Sequence, residues 1–409
     1  MTTEPPLVLI EPGAHRLGGH HPRTLAALAA ARPGSWVIAP YGAADPAPLR
    51  QAGARLVTGA RGPAAAVLLA VAQWANAVSA AGQKAFASRR WPLALRRAPH
   101  QVTLLARCLK EAACLRTARL LVREPAAVVV LSASEALHGA AALLGGQPHL
   151  RFIHEAVTAE DAPVRLLGYL ARRGERRVVA LYPTAAVRDQ FAGAFPDLAG
   201  VTRAFAVDDG NRLTEVERDG ARTALGIPAE AVAVCLVGGW WPYKDIATID
   251  AALACLTQPL HLVVTGTPLD EEMLARWHQL PRLRLHTVPG PVGEQVLRLV
   301  YAAADAALVA RRPGVGKESG LVRDAARLGV PLLVSDHDPD LTSRITGQPW
   351  ARLFPAGDPA ALATVLDDLA TEPPPRPGTG APAVLGMATA AEQAAFLATT
   401  YTRLIEELT

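Results

Sequence analysis

One stretch limits the fold more than any other, GKESGLVRDAARLGVPLLVSD at residues 316–336. It opens on Gly316 and the charged pair Lys317-Glu318, passes Ser319 and Gly320, and enters a register of apolar residues spaced as on a helix. It closes on Gly329-Val330-Pro331 and the apolar run Leu332-Leu333-Val334. That order is loop, helix, tight turn and buried strand, an αβ unit whose helix start carries the polar groups. The first turn of a helix has N–H groups without helical partners and a partial positive charge, so it suits an anion such as a diphosphate. Carboxylates at the same place suit sugar hydroxyls. Taken alone, the stretch also reads as an N-capped helix of any α/β protein.

A second segment repeats the logic. Residues 232–237 predict a buried strand, followed by Gly238-Gly239-Trp240-Trp241-Pro242-Tyr243-Lys244-Asp245 and a helix over 246–256. A strand, a glycine turn and an ammonium before a helix make an anion site. Lysine is scarce: Lys84, Lys110, Lys244 and Lys317 are all there are, and two of the four fall in these two motifs. In a chain that otherwise uses Arg, a Lys marks a place suited to a compact ammonium.

The first half predicts strands at residues 7–10, 36–39, 55–57, 127–131, 151–154 and 177–181, with helices over 24–31 and through 64–123. Gly18-Gly19, between first strand and first helix, has the composition of a phosphate or substrate cradle, with His20, His21 and Arg23 at its edge. Residues at the C-terminal ends of parallel strands face the ligand crevice of an open α/β sheet. That rule selects Ser132, Ser134, Glu135, His138, His154, Glu155 and Thr184, although His154 also reads as a strand-end histidine on a backbone partner. Residues 201–212 read as a linker, with Asp208-Asp209 in a turn. Beyond it, strands are expected at 261–265, ending in Thr265-Gly266-Thr267, at 283–287 before Pro289-Gly290, and at 306–309. Helices follow at 360–369 and, after a Pro/Gly-rich break over 372–382, at 391–408.

A chain of 409 residues predicts at least two domains. Abundant Ala, Arg, Pro and Gly match a GC-rich bacterial genome. The net charge of +4 hides an asymmetry. Residues 1–200 hold 23 Arg and Lys against 12 Asp and Glu, a net of +11; residues 201–409 hold 18 against 25, a net of −7. From Lys84 to Arg123 ten basic residues face one acid, Glu111, and mix with Trp91, Leu93 and Leu95. That run reads as a basic amphipathic surface for anionic headgroups or an acidic acceptor, or as solvated helices. No recognised nucleic-acid motif accompanies it, so nucleic acid is not the expected partner. Cys108, Cys114, Cys235 and Cys255 form no metal pattern and each sits in an apolar run, which predicts core thiols. Leu7–Ile10 is too short for a secretory h-region and is followed by Glu11-Pro12. No run is apolar enough on this reading to span a bilayer, so the chain is expected in the cytoplasm, with peripheral contact at the inner membrane face through residues 84–123. Asp336-His337-Asp338 imitates a metal-binding DxD and follows the strand after the Gly-x-Pro turn, and no serine-hydrolase, zinc-protease or P-loop motif is present.

KESGLVRDAARLGVPLLVSD resembles the donor-site signature of the retaining GT-B glycosyltransferases of the large family four, also called glycosyltransferase group 1. In that family a Glu, seven residues and a second Glu-Ala precede a Gly-x-Pro turn and a strand. Glu318 matches the first Glu and Asp324-Ala325 the second pair, with Gly329 and Pro331 in register. Five residues, not seven, separate Glu318 from Asp324, the family's Phe before Gly320 being among those missing, and the second acid is the shorter Asp. The Trp-Trp segment is similar to the family's Val-Gly-Arg…Lys-Gly motif, with Lys244 on the diphosphate-binding Lys and Gly239 where the family has Arg. The family's His after the fourth strand falls on Ser132, near which His154 is expected.

The resemblance implies an α/β GT-B fold: two Rossmann-like domains facing a cleft, with a C-terminal helix crossing back to the first. The expected segments are 1–205 on the acceptor side, 206–388 on the donor side and 389–409 as the returning helix. It implies a hexosyltransferase-type enzyme of carbohydrate or glycoconjugate biosynthesis. Such an enzyme moves a sugar from a nucleotide-diphosphate donor with retention and with no cofactor or metal. The donor set it implies is Gly18, Gly19, Gly239, Lys244, Thr265, Gly266, Pro289, Lys317, Glu318, Ser319, Gly320, Leu321 and Asp324. His20, His21, Arg23, Glu135 and His138 fall on the acceptor side, and Lys244, Glu318 and His154 in catalytic positions. The acceptor is expected to be acidic, lipid-linked or a small molecule. Two alternatives share the fold, a sugar-nucleotide 2-epimerase and a partner subunit that has lost catalysis.

Overall fold

A computed structural model describes residues 5–16, 21–88, 90–133, 137–154, 172–195, 198–290 and 292–409. The chain divides into two compact α/β units. One holds residues 1–16, 21–207 and 389–409; the other holds 208–388, the chain crossing between them at Val207–Asp208 (β8) and again at residues 388–389.

The first unit is built on a seven-stranded sheet. Its strands are β1 (Leu7–Ile10), β2 (Trp36–Ile38), β3 (Arg55–Val57), β4 (Ala127–Val130), β5 (His149–Phe152), β6 (Val178–Tyr182) and β7 (Gly200–Thr202). They lie in the order β3-β2-β1-β4-β5-β6-β7, and every pairing is parallel. Central strands of a parallel sheet are buried on both faces, which is why β1 (LVLI) and β4 (AVVV) are unbroken apolar runs. The sheet is flanked by α1 (His21–Ala31), α2 (Ala47–Gln51), α4 (Leu93–Leu121) and α5 (His138–Gly145), with α3 (Pro63–Ala85) packed on α4. The C-terminal helix Ala390–Leu408 belongs to this unit. It starts on a capping box, Thr389 with Glu392, and packs Leu397 and Leu404 into the core with Leu9, Leu25 and Val129.

The second unit is a six-stranded parallel sheet of β9 (Ala233–Val237), β10 (Leu260–Thr265), β11 (Leu283–Val288), β12 (Ala306–Val309), β13 (Leu332–Ser335) and β14 (Ala351–Phe354), ordered β11-β10-β9-β12-β13-β14. Gly329 ends the helix Gly320–Leu328 at φ +81°, the left-handed conformation that glycine adopts most easily at a helix C-terminus.

Four expectations need correction. Residues 201 and 202 are not linker but part of β7, which pairs with β6. Cys108, Cys114 and Cys235 are buried, but Cys255 is exposed, because it caps the helix Ile246–Ala254 instead of facing the sheet. The basic run 84–123 is not one surface. Lys110 and Glu111 are buried where α4 meets the sheet, Glu111 binding Arg151 at 2.8 Å and Lys110 lying 5.2 Å from the Tyr41 ring. Finally, α3 is long and apolar enough to cross a membrane by length and composition. It instead lies on α4, burying Ala65, Leu69, Ala72, Ala75 and Ser79.

Candidate functional site

In a doubly wound sheet the strand order reverses direction at one place, and the loops on either side diverge there to leave a crevice. In the second unit that place is between β9 and β12. The loop after β9 brings Lys244 back across it to form an antiparallel bridge with Arg311, two residues past the end of β12. Both side chains are buried. Lys244 Nζ donates to the carbonyls of Val237 (2.6 Å) and Gly238 (2.8 Å). Burial first, and the Arg311 charge second, push its pKa down to about 7. Arg311 Nη1 donates to the carbonyl of Lys317 at 2.7 Å. The Tyr243 ring has the Arg311 guanidinium 5.3 Å from its centre and the Lys317 ammonium 5.0 Å from it.

Two helices begin at this edge. Asp245 caps Ile246–Ala254 by accepting from Thr248 N and Thr248 Oγ1, and Ser319 caps Gly320–Leu328 by accepting from Val322 N. Gly320 and Leu321 are therefore first-turn residues of the second helix, and Glu318 stands immediately before its cap. Glu318 is buried, its Oε1 2.6 Å from Arg323 Nε. Thr265 is buried at the end of β10, donating to the carbonyl of Val288 at 2.9 Å, and Pro289 is exposed past the end of β11.

The glycines here have a steric reason. Gly238 N donates to the Thr265 carbonyl at 2.7 Å, drawing the β9 and β10 loops together. A Cβ on Gly239 would fall 2.1 Å from the Thr267 carbonyl oxygen, and one on Gly266 2.3 Å from the Gly238 carbonyl carbon. The resembling family's Arg therefore has no room at position 239, and Arg311 supplies a cation from the neighbouring strand end. Asp324 lies one turn into its helix, 3.7 Å from the buried Arg327, whose other partners are Asp209 (3.0 Å) and Glu294 (3.6 Å). Asp209 is thus more than a turn residue. His337 has Nδ1 2.9 Å from Ser335 Oγ, and burial, with the Arg311 charge next, pushes its pKa to about 4; Asp338 caps the helix Pro339–Ile345.

The first unit has its own reversal, between β1 and β4. Glu11, the residue after β1, is buried there. Its Oε1 accepts from Ser132 Oγ, beyond β4, and from Gly13 N at 2.8 Å; its Oε2 lies 3.4 Å from His21 Nδ1. Burial alone would raise the Glu11 pKa, but the His21, Ser132 and Gly13 contacts outweigh it and hold the carboxyl below its ordinary value. The His21 and His154 rings are 4.6 Å apart, and His154 Nε2 lies 2.8 Å from the Leu131 carbonyl. Arg23 is half-buried on α1, His138 opens α5, and Thr184 caps the helix Ala185–Ala194. Gly18, Gly19, His20, Ser134, Glu135 and Glu155 lie outside the described residues, as does the side chain of His138.

Within the second unit, then, the fold gathers Lys244, Lys317, Glu318, Ser319 and Gly320 at one sheet edge. It adds Tyr243, Arg311 and Arg323, which sequence reasoning missed. Arg311 follows an apolar strand, so the strand-end rule that selected Ser132 and Thr184 in the first unit also reaches it. Glu11, missed in the first unit, obeys the same rule as the first residue after β1. The cationic cluster beside two helix starts can bind an anion, and the Glu318 carboxylate beside it can accept hydroxyl hydrogen bonds.

Compared by sequence, the chain matches no family profile and no curated protein. Compared by fold, it is similar to several solved structures. HepE from Anabaena, in complex with UDP-glucose, is 13% identical with a TM-score of 0.59 over 98% of both chains. A glycosyltransferase from Rickettsia africae is 10% identical with a TM-score of 0.61, over 98% of this chain and 99% of that one. An α,α-trehalose-phosphate synthase (UDP-forming) from Burkholderia xenovorans, in complex with glucose-6-phosphate, is 11% identical with a TM-score of 0.60 over the same shares. At such identities the likeness shows the fold: two parallel-sheet α/β units of the GT-B type.

Proposed function

We propose that this protein is a glycosyltransferase that takes its sugar from a nucleotide-diphosphate donor held by the second unit. The observation that carries the reading is the Lys244–Arg311 pair at the β9/β12 reversal, beside two helix starts and Glu318. The fold neighbours support it: HepE holds UDP-glucose and the trehalose-phosphate synthase is UDP-forming, so uridine is the base expected here.

The chemistry asks for such a site. As the nucleoside diphosphate departs, negative charge grows on the leaving oxygen and the anomeric carbon becomes cationic. A single fixed hydrogen-bond donor aimed at such an oxygen lowers the barrier by about 3 kcal/mol. In this reading Lys244, Arg311 and Lys317, with the first-turn N–H groups of Gly320 and Leu321, take the diphosphate. Glu318, oriented by Arg323, takes donor-sugar hydroxyls, and Asp324 the ribose. In this reading these cations neutralise the leaving group in place of a metal ion, and retention at the anomeric carbon is what the resemblance to the family-four enzymes implies. The acceptor falls to the first unit, with His21, Arg23 and His154 as its polar groups.

Thermal unfolding with UDP, GDP, ADP and dTDP, each with magnesium or with a chelator, tests the donor site. Selective stabilisation by UDP in both conditions is expected, worth about 2.7 kcal/mol at a hundred times the Kd. The shift should vanish in Lys244→Ala. No shift with any nucleotide would overturn the reading. Lys244 also sets a pH dependence. In the free protein it loses its proton around pH 7, whereas a bound diphosphate favours the charged form. Affinity should therefore fall as pH rises above 7, by up to about tenfold per unit, with proton uptake on binding.

A further inference from the structure

The outward face of α3 belongs to neither site, and a solvated helix does not look like it. Its buried stripe rests on α4, tied by Ser79 Oγ donating to the Pro99 carbonyl at 2.6 Å. On the other side Val67, Val71, Trp74 and Val78 recur every three or four residues, so they share one face of the helix, and all are exposed: Trp74 by 68% and Val67 by 61%. No charged residue lies between Pro63 and Gln83. Soluble proteins rarely leave such a patch to water unless something covers it.

The charge around the stripe says what covers it. Lys84 lies in the last turn of α3, Arg90 in the link to α4, and Leu93, Leu95, Arg96 and Arg97 at the start of α4, all exposed. No acidic residue occurs between Asp45 and Glu111. An uncharged apolar face with Trp, ending in a basic tip, is complementary to a bilayer whose interior takes the apolar side chains and whose headgroups are anionic. A second copy of the chain would bring an equally basic tip with no acid to meet it.

We propose that the α3–α4 hairpin docks this protein on the surface of an anionic membrane. The Val67–Val71–Trp74–Val78 stripe of α3 enters the headgroup boundary, and Lys84, Arg90, Arg96 and Arg97 engage lipid phosphates. This confines the membrane-facing part of the basic run to its start and adds the apolar face of the helix before it. The helix lies on the bilayer and does not cross it, because its other face is committed to α4. The inference is independent of the transferase reading, since its test measures no catalysis.

The test is flotation of the full chain with vesicles of phosphatidylcholine alone or with about 30% phosphatidylglycerol, alongside the solution mass without lipid. Binding to the anionic vesicles is expected, with a monomer in lipid-free solution. Val71→Asp/Trp74→Asp should weaken binding about tenfold or more by removing apolar insertion. Arg96→Glu/Arg97→Glu should remove the preference for anionic vesicles, as should about 0.5 M salt. Circular dichroism and the melting temperature of each variant should match the parent, because the altered side chains are exposed. The proposal is overturned by the absence of vesicle binding, by equal binding to neutral vesicles, or by a lipid-free dimer that Val71→Asp/Trp74→Asp dissociates.

Discussion

The two units solve one topological problem with opposite charge. Each is a parallel sheet that reverses its strand order once, and each buries ionisable groups there. In the second unit those groups are Lys244 and Arg311; in the first the buried group is Glu11, which meets Ser132 and His21. The gross charges run the other way. Residues 201–409, net −7, hold the cationic reversal, and residues 1–200, net +11, hold the acidic one. Net charge is summed mostly over exposed side chains, where water and salt screen it, whereas a site's chemistry is set by a few buried groups in a low dielectric. The difference teaches that the charge of a half-chain is no guide to the sign of its site.

The sharpest way to break the comparison is to remove the cationic site. Lys244→Ala with Glu318→Ala should abolish transfer, a loss of at least about a thousandfold in kcat/KM, while circular dichroism stays that of the parent. Full turnover in that variant would show that the reversal is not where the donor reacts.

Gly239→Arg asks whether the missing family arginine can be restored. Its Cβ meets the Thr267 carbonyl at 2.1 Å, so the variant should lose roughly 2–4 kcal/mol of stability in a denaturant titration and bind nucleotide no better. Tighter nucleotide binding with an unchanged midpoint would mean that Arg311 does not stand in for that cation.

The acidic site predicts a smaller effect, on stability. Glu11→Gln keeps the shape but loses the carboxylate that accepts from Ser132 and Gly13 and faces His21; a cost of about 1–3 kcal/mol at neutral pH is expected. The Glu11 pKa is lowered in the fold, so its contribution is present above the ordinary carboxylate value and lost as pH falls through the folded value. The difference between parent and Glu11→Gln should therefore shrink on acidification, and nucleotide binding by the second unit should not change. A difference that grows toward low pH would show that the buried carboxyl is neutral.

Much of this was legible along the chain. The strands near LVLI, AVVV, AVCLV and AALV stood out because central parallel strands are buried on both faces. The helix start at Ser319-Gly320 was legible because a cap, a Gly stop and a Pro sit at fixed spacing. Lys244 was found for a similar local reason. Arg311, Arg323 and Glu11 were not, since each acquires its role from a partner on another element: Lys244 across the strand reversal, Glu318 before the helix, Ser132 past β4. The reading of residues 84–123 as one basic surface failed because Lys110 and Glu111 turn inward on α4, which helical spacing allows but does not announce.

The sequence by itself determined the α/β class, most strands and the two capped helix starts of the second unit, because periodicity, caps and turns act over a few residues. Only the tertiary structure decided which ionisable groups meet, which of them are buried, and which face of α3 is left to solvent. Those outcomes depend on contacts between distant residues, and it is burial and neighbouring charge, not residue type, that set the protonation of Lys244 and Glu11.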